Sequence, residues 1–81
     1  MQTSPSPLVL IRTDPARNMA RFYRLSIEPT LFCAHALVLN WGRMGSHGRL
    51  RIEPCADESE ARGRFERLAS AKRRRGYRAV S

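Results

Sequence analysis

The amino-acid sequence predicts an α+β fold: a curled antiparallel sheet of about four strands with one C-terminal amphipathic helix packed on it. Three observations predict it. Two segments, Arg21–Glu28 and Arg49–Pro54, alternate apolar and polar residues with a period of two. A glycine-bearing stretch, Met44–Gly48, stands where a hairpin turn belongs. One segment, Asp57–Tyr77, carries apolar residues at helical spacing between a capping residue and a glycine. At 81 residues the chain holds one modest core, because a domain of this size buries only about 60% of the surface its unfolded form exposes. A helix lying over a sheet is the simplest two-layer way to build that core.

Residues 1–7 are polar and contain prolines, and are expected to form a disordered tail ahead of one domain over residues 8–81. The run Leu8–Asp14 starts apolar and ends polar, as a short strand does, and Asp14–Ala20 carries the turn signals Asp-Pro and Asn. In Arg21–Glu28, Tyr23, Leu25 and Ile27 share one face and Arg24, Ser26 and Glu28 the other. Phe22 breaks that pattern, so its end of the strand is expected to be covered on both sides. The stretch Leu31–Arg43 suits either a short helix or a long strand, and the glycines that follow favour a strand. In Arg49–Pro54, Leu50 and Ile52 are expected to point inward, with Arg49, Arg51 and Glu53 outward. A fifth, short edge strand over Tyr77–Val80 is compatible with the pattern.

The helix is punctuated at both ends. Asp57 is suited to the N-cap, with Glu60 three residues on as its capping-box partner. Acids sit at the positive end of the helix dipole and Lys72–Arg75 at the negative end. Gly76 suits the residue after the cap. Ala61, Phe65, Leu68, Ala69 and Lys72 form one narrow stripe for the sheet.

Charge dominates the functional reading. Fifteen basic residues stand against seven acidic ones, a net charge of +8, and all the basic residues but Lys72 are arginines. Genome composition accounts for arginine over lysine but not for the imbalance of sign. Arginine's planar fork takes phosphate with two hydrogen bonds and stacks on bases, so a nucleic acid or another polyanion is the expected partner. No export signal is expected from the N-terminal residues, where only four apolar residues run together, and no membrane span is expected. A cytoplasmic setting is expected, nucleoid-associated if the source is bacterial. Cys33, His35, His47 and Cys55 match no zinc spacing. No cofactor is implied. Ser46 and His47 lack a positioned acid, so no catalytic set, enzymatic activity or small-molecule substrate is expected.

Trp41, the sole tryptophan, and Arg43 lie two apart on a strand and so face the same way. Gly42 between them leaves the opposite face bare, which lets another backbone approach. An indole beside a guanidinium offers a flat surface and a counter-charge together. Stacking on a base is worth about 1–3 kcal/mol. A second basic group is Lys72, Arg73, Arg74 and Arg75, in which Lys72 and Arg75 share a helix face. A third is Arg49 and Arg51, which extend the basic surface if they adjoin Trp41 across the hairpin.

Three blocks in order, Asn18–Ile27 (NMARFYRLSI), Trp41–Leu50 (WGRMGSHGRL) and a helix ending Ala71–Tyr77 (AKRRRGY), resemble the WGR domain over roughly residues 8–80. That module stands beside the catalytic domain of DNA-dependent poly(ADP-ribose) polymerases and also occurs as small bacterial proteins. The resemblance implies binding at DNA breaks: the motif tryptophan packs on the sugar of a terminal nucleotide, and basic groups hold the 5′ end and backbone phosphates. It carries those roles to Trp41 and Arg43, and less directly to Asn18. Arg21 takes a position usually held by lysine, and Tyr77 an aromatic position at the helix exit. Met19 and Ala20 depart from the small polar residues usual there. The resemblance covers no catalytic domain, so ADP-ribosyl transfer is not expected from these residues. The expected function is therefore non-catalytic binding of DNA ends and backbone phosphates with little sequence specificity. RNA binding is an alternative. Another is a protein-interaction module built on the Trp-Gly-Arg surface.

Overall fold

The computed structural model describes residues 6–80. Residues 1–5 of the expected tail lie outside the described residues. Five strands and one long helix follow in the order β1 (Leu8–Asp14), β2 (Met19–Glu28), β3 (Ala36–Arg43), β4 (Arg49–Pro54), α1 (Glu58–Arg74) and β5 (Arg78–Ala79). The sheet is antiparallel throughout, with spatial order β4-β3-β2-β1-β5. The α+β architecture is as the sequence predicts, with a fifth strand of two residues pairing along β1.

Alternation along β2 decides which face receives the helix. Tyr23, Leu25 and Ile27 are buried, and register places Leu10 of β1 and Leu39 of β3 on the same face. Ala61, Phe65 and Ala69 of α1 close over them, with Leu68 packed at the margin. Leu10, Leu25 and Leu37 are fully buried, each worth about 1.5–3 kcal/mol in removed apolar surface. The helix is fixed at its start by Asp57, whose carboxylate accepts from the Glu60 backbone N–H at 2.8 Å. The Glu60 carboxylate accepts from the Ala56 N–H at 2.6 Å, one residue before the cap, so the box closes slightly wider than its usual form.

Two expectations are corrected. The strand β3 starts at Ala36, and Leu31 and Phe32 lie in the preceding loop, 94% and 97% exposed. The apolar run could not show this, because hydrophobicity alone does not mark where backbone pairing begins. On β4, Leu50 and Ile52 point away from the helix and are 65% and 50% exposed. Register decides this: Arg49, Arg51 and Glu53 pair with Trp41, Leu39 and Leu37, all on the helix side. Glu53 makes that arrangement tolerable, bridging Arg51 at 2.9 Å and Arg64 of α1 at 2.6 Å. Alternation reports two faces but not which one is covered, and β4 is an edge strand at the margin of the core.

Candidate nucleic-acid interface

The Trp-Gly-Arg segment closes β3, and the turn after it explains the glycine. Trp41 and Arg43 lie on the helix side of the sheet, and Gly42 pairs with Phe22 on the other side. There the hairpin turn folds back over Gly42, so that a Cβ on Gly42 would stand 2.7 Å from the Cα of Gly48. Gly48 has φ +71°, and a Cβ on it would meet the Trp41 carbonyl oxygen at 2.3 Å and the Phe22 ring at 2.8 Å. Phe22 is thus covered on this second side, as its place in the sequence implies. Asn40 holds the turn down, its amide donating to the His47 and Arg49 carbonyls at 3.1 and 2.8 Å.

On the helix side, three aromatic rings run in sequence. The Tyr23 ring is 6.4 Å from Trp41 and 6.3 Å from Tyr77, centroid to centroid. Trp41 is half-buried and packed against the core. Tyr77 reaches this place through the helix exit. The Gly76 N–H donates to the Arg73 carbonyl and the Tyr77 N–H to the Lys72 carbonyl, at 3.0 and 3.1 Å. This is a Schellman closure, with Gly76 at φ +98°. It brings the Lys72 ammonium 4.4 Å from the Tyr23 centroid and 5.3 Å from that of Tyr77. Burial lowers the Lys72 pKa, and the nearby charges of Arg75 and Arg21 lower it further. Burial likewise raises the Tyr23 pKa, aided by Glu53 and Tyr77.

Next to the rings lies a row of like charge. Arg12, Arg21 and Arg43 occupy one register row across β1, β2 and β3, Arg21 pairing with both of the others. Strands are about 4.8 Å apart, and like charges directly opposite destabilise a sheet. Among the described residues, the ion pairs are Arg17–Asp14, Arg51–Glu53, Arg62–Glu58 and Arg64–Glu53, and none reaches this row. Arg43 has another partner: its guanidinium donates to the backbone oxygen and side-chain oxygen of Asn18, at 3.0 and 3.3 Å. Asn18 is left-handed, φ 51°, at the end of a short 3-10 turn over Pro15–Arg17.

The structure therefore brings together Trp41, Arg43, Asn18, Arg21, Lys72, Arg75 and Tyr77. Arg49 pairs directly with Trp41, so it adjoins the rings, whereas Arg51 is engaged by Glu53. Arg73 and Arg74 are exposed, and Arg74 lies with Glu66, Arg67 and Ser70 on another part of the helix surface. Sequence reasoning missed Arg12, because only the register reveals what stands across from Arg21. It also missed Arg64 and Arg67. With Arg51, Lys72 and Glu53, which pairs Arg51 and Arg64, these line a cleft of about 550 Å³ between α1 and the sheet, together with Tyr23, Leu39, Trp41 and Leu68. Arg64 stands four residues before Leu68, a helical spacing that marked it as a neighbour of the stripe, whereas Arg67, five residues before Lys72, carried no such signal. His47 sits in the hairpin turn, at the opposite end of β3–β4 from Cys33, His35 and Cys55.

A five-stranded antiparallel sheet carrying one helix, with a half-buried indole near several guanidinium groups, defines a small α+β module with a basic face. The chain belongs to the WGR domain family, whose profile matches residues 6–81. The WGR family is one of nucleic-acid-binding modules. The chain is also similar to a protein of Sinorhizobium fredii (strain NBRC 101917 / NGR234) described as "Uncharacterized protein y4dW", 44% identical over 78 residues. That match covers 96% of this chain but 38% of the relative, so the chain spans well under half of the relative's length. No solved structure matches the chain. No helix among the described residues is long and apolar enough to cross a membrane.

Proposed function

We propose that this chain is a non-catalytic DNA-binding module that engages strand ends and backbone phosphates through its basic pole, with little sequence specificity. The observation that carries the reading is the half-buried Trp41, in the row next to Arg12–Arg21–Arg43 on the same sheet face, a row that no ion pair among the described residues reaches. A sheet accepts three adjacent guanidinium groups at a cost in stability, and an anion removes that cost. Trp41 supplies the flat surface for a terminal sugar or unpaired base. Arg21, Lys72 and Arg75 stand around it to take phosphate. Such contacts position a duplex without reading its bases.

The test uses the fluorescence of the sole tryptophan during titration with blunt duplex, nicked duplex and closed circular DNA. Quenching that requires a free end or nick is the expected result. Equal quenching by the closed circle removes the end preference. No response to any of the three favours the protein-interaction reading. Matched RNA ends show whether the sugar is discriminated. With about four to six phosphates neutralised, log K falls against log salt with a slope of roughly −4 to −5. Trp41→Ala is expected to abolish the preference for ends while leaving salt-sensitive binding to internal duplex.

A further inference from the structure

The face of the sheet turned away from α1 has no second layer among the described residues, yet its side chains are those of a covered face. An antiparallel sheet with one solvated face alternates apolar and polar residues. Here β1 and β3 do not. Leu8–Ile11 and Ala36–Leu39 are unbroken apolar runs, the pattern of strands buried on both sides. Register assigns what this second face presents. Val9 and Ile11 lie on it from β1, Val38 from β3, and Leu50 and Ile52 from β4. Val80, next to the end of β5, donates its N–H to the Val9 carbonyl at 2.9 Å and stands beside it. Leu50, Ile52 and Val80 are half or more exposed.

These residues form two groups, one on β1 and β5 and the other on β3 and β4. Arg24 lies between them, paired with Val9 on one side and Asn40 on the other. The Asn40 amide is spent on the hairpin turn. Arg24 is exposed, and no ion pair among the described residues reaches it, nor Arg78, which pairs with Ile11 on this face. Among the described strand residues, Glu28 is the carboxylate on this face, and it accepts from the Ser26 hydroxyl at 2.5 Å. It stands four residues along β2 from Arg24, about 13 Å at 3.3 Å per residue.

We infer that this face docks an amphipathic helix of a partner protein, whose apolar stripe is interrupted by a carboxylate that meets Arg24. The residues select that occupant. A second copy laid face to face buries guanidinium groups of both chains without a counter-charge, which is costly. Aliphatic side chains on both sides of Arg24 offer nothing to a run of phosphates. A helix supplies both chemistries from one element, because side chains three and four apart share a face. It also completes a layer on each side of the sheet. Trp41 and the basic row lie on the other face, so the inference does not rest on the DNA reading.

The test is a nuclear magnetic resonance titration of the isotope-labelled full chain with two synthetic amphipathic helices of about 18 residues, five turns. Both carry the same leucine stripe, one with a central glutamate in it and the other with a lysine. The glutamate peptide is expected to move the amide signals of Val9, Arg24, Val38, Leu50 and Ile52 and to leave those of Trp41 and Lys72 in place. The lysine peptide is expected to bind at least about tenfold more weakly. Arg24→Glu is expected to reverse that preference, and Leu50→Ser combined with Ile52→Ser to weaken both peptides about tenfold or more. All three positions are exposed, and circular dichroism checks folding. Duplex DNA is expected to leave this face unmoved and not to compete with the peptide. Several outcomes overturn the inference: no response to either peptide, responses confined to the Trp41 and Lys72 side, an unchanged preference in Arg24→Glu, or duplex DNA moving this face and displacing the peptide. Failure of DNA to bind anywhere leaves the peptide result standing and counts against the DNA reading alone.

Discussion

Arg43 is hydrogen-bonded to Asn18, its guanidinium taking the backbone oxygen at 3.0 Å and the side-chain oxygen at 3.3 Å. The arginine of the Trp-Gly-Arg segment thus clamps a turn twenty-five residues earlier in the chain. This bond links two roles that mutagenesis separates. Arg43→Ala removes a cation from the basic row and also frees the turn. We expect it to weaken DNA binding, to reduce the salt slope by about one unit, and to cost roughly 1 kcal/mol of stability. Asn18→Ala loses the side-chain acceptor and strains a left-handed residue, about 1–2 kcal/mol. Asn18→Gly keeps the conformation and costs less. In a double-mutant cycle on urea unfolding, Arg43→Ala and Asn18→Ala are expected to couple by more than about 0.5 kcal/mol. Additive effects would mean that the clamp contributes nothing in solution.

Gly48 is the position least tolerant of a side chain. A Cβ there stands 2.3 Å from the Trp41 carbonyl oxygen in a residue with φ +71°. Left-handed strain of about 1–2 kcal/mol adds to overpacking of about 1–3 kcal/mol. Gly48→Ala is expected to cost about 2–5 kcal/mol, a large share of the 5–15 kcal/mol typical of a domain. Gly45, whose Cβ would meet nothing within 4 Å, also has positive φ, 92°. Gly45→Ala is therefore expected to cost only the backbone strain. Thermal melts of the two variants distinguish close approach from conformation alone.

On the proposed DNA-binding reading, the row Arg12–Arg21–Arg43 exchanges stability for binding. Arg21→Gln keeps most of the apolar stem and removes the central charge. It is expected to raise stability at low salt by about 0.2–1 kcal/mol, a gain that fades as salt screens the row. The same variant is expected to bind DNA more weakly, with a salt slope shallower by about one unit. Arg12→Gln should behave alike, because it stands on the other side of Arg21. Unchanged affinity in both variants would remove the row from the interface.

Much of this arrangement was legible in the residues. The period of two in Tyr23, Leu25 and Ile27 reported a buried face, and the helical stripe Ala61, Phe65 and Ala69 reported what covers it. Trp41 and Arg43 were placed on one face by spacing alone. Gly76 and Tyr77 announced the helix exit. What was not legible is what register decides. Alternation in β4 could not say that Arg49 and Arg51 share the face of Trp41 while Leu50 and Ile52 do not. Nor could Arg12 be matched to Arg21, because pairing partners are fixed by the length of the turn between the strands. Leu31 and Phe32 read as strand because their exposure depends on the loop that lifts them.

Lys72 gives the interface a pH dependence whose sign can be worked out. Burial first, and then Arg75 and Arg21, lower its pKa from the ordinary 10.5. In the window between the folded value and 10.5, the unfolded chain holds this proton and the folded chain does not. Its contribution to stability therefore rises with pH across that window. Tyr23 acts in the opposite direction: its pKa is raised above 10.0, so the unfolded chain ionises first and its contribution falls as pH climbs past that value. Binding follows Lys72 with the other sign. A phosphate placed beside the ammonium restores the charged form, so complex formation takes up a proton and affinity declines as pH rises through the window. Lys72→Arg stays charged throughout and isolates the lysine from Tyr23. We expect wild-type affinity to fall with alkaline pH while the Lys72→Arg variant stays flat, and calorimetry in buffers of different ionisation enthalpy to show proton uptake only for wild type. Parallel pH profiles for the two proteins would show that no phosphate sits at Lys72.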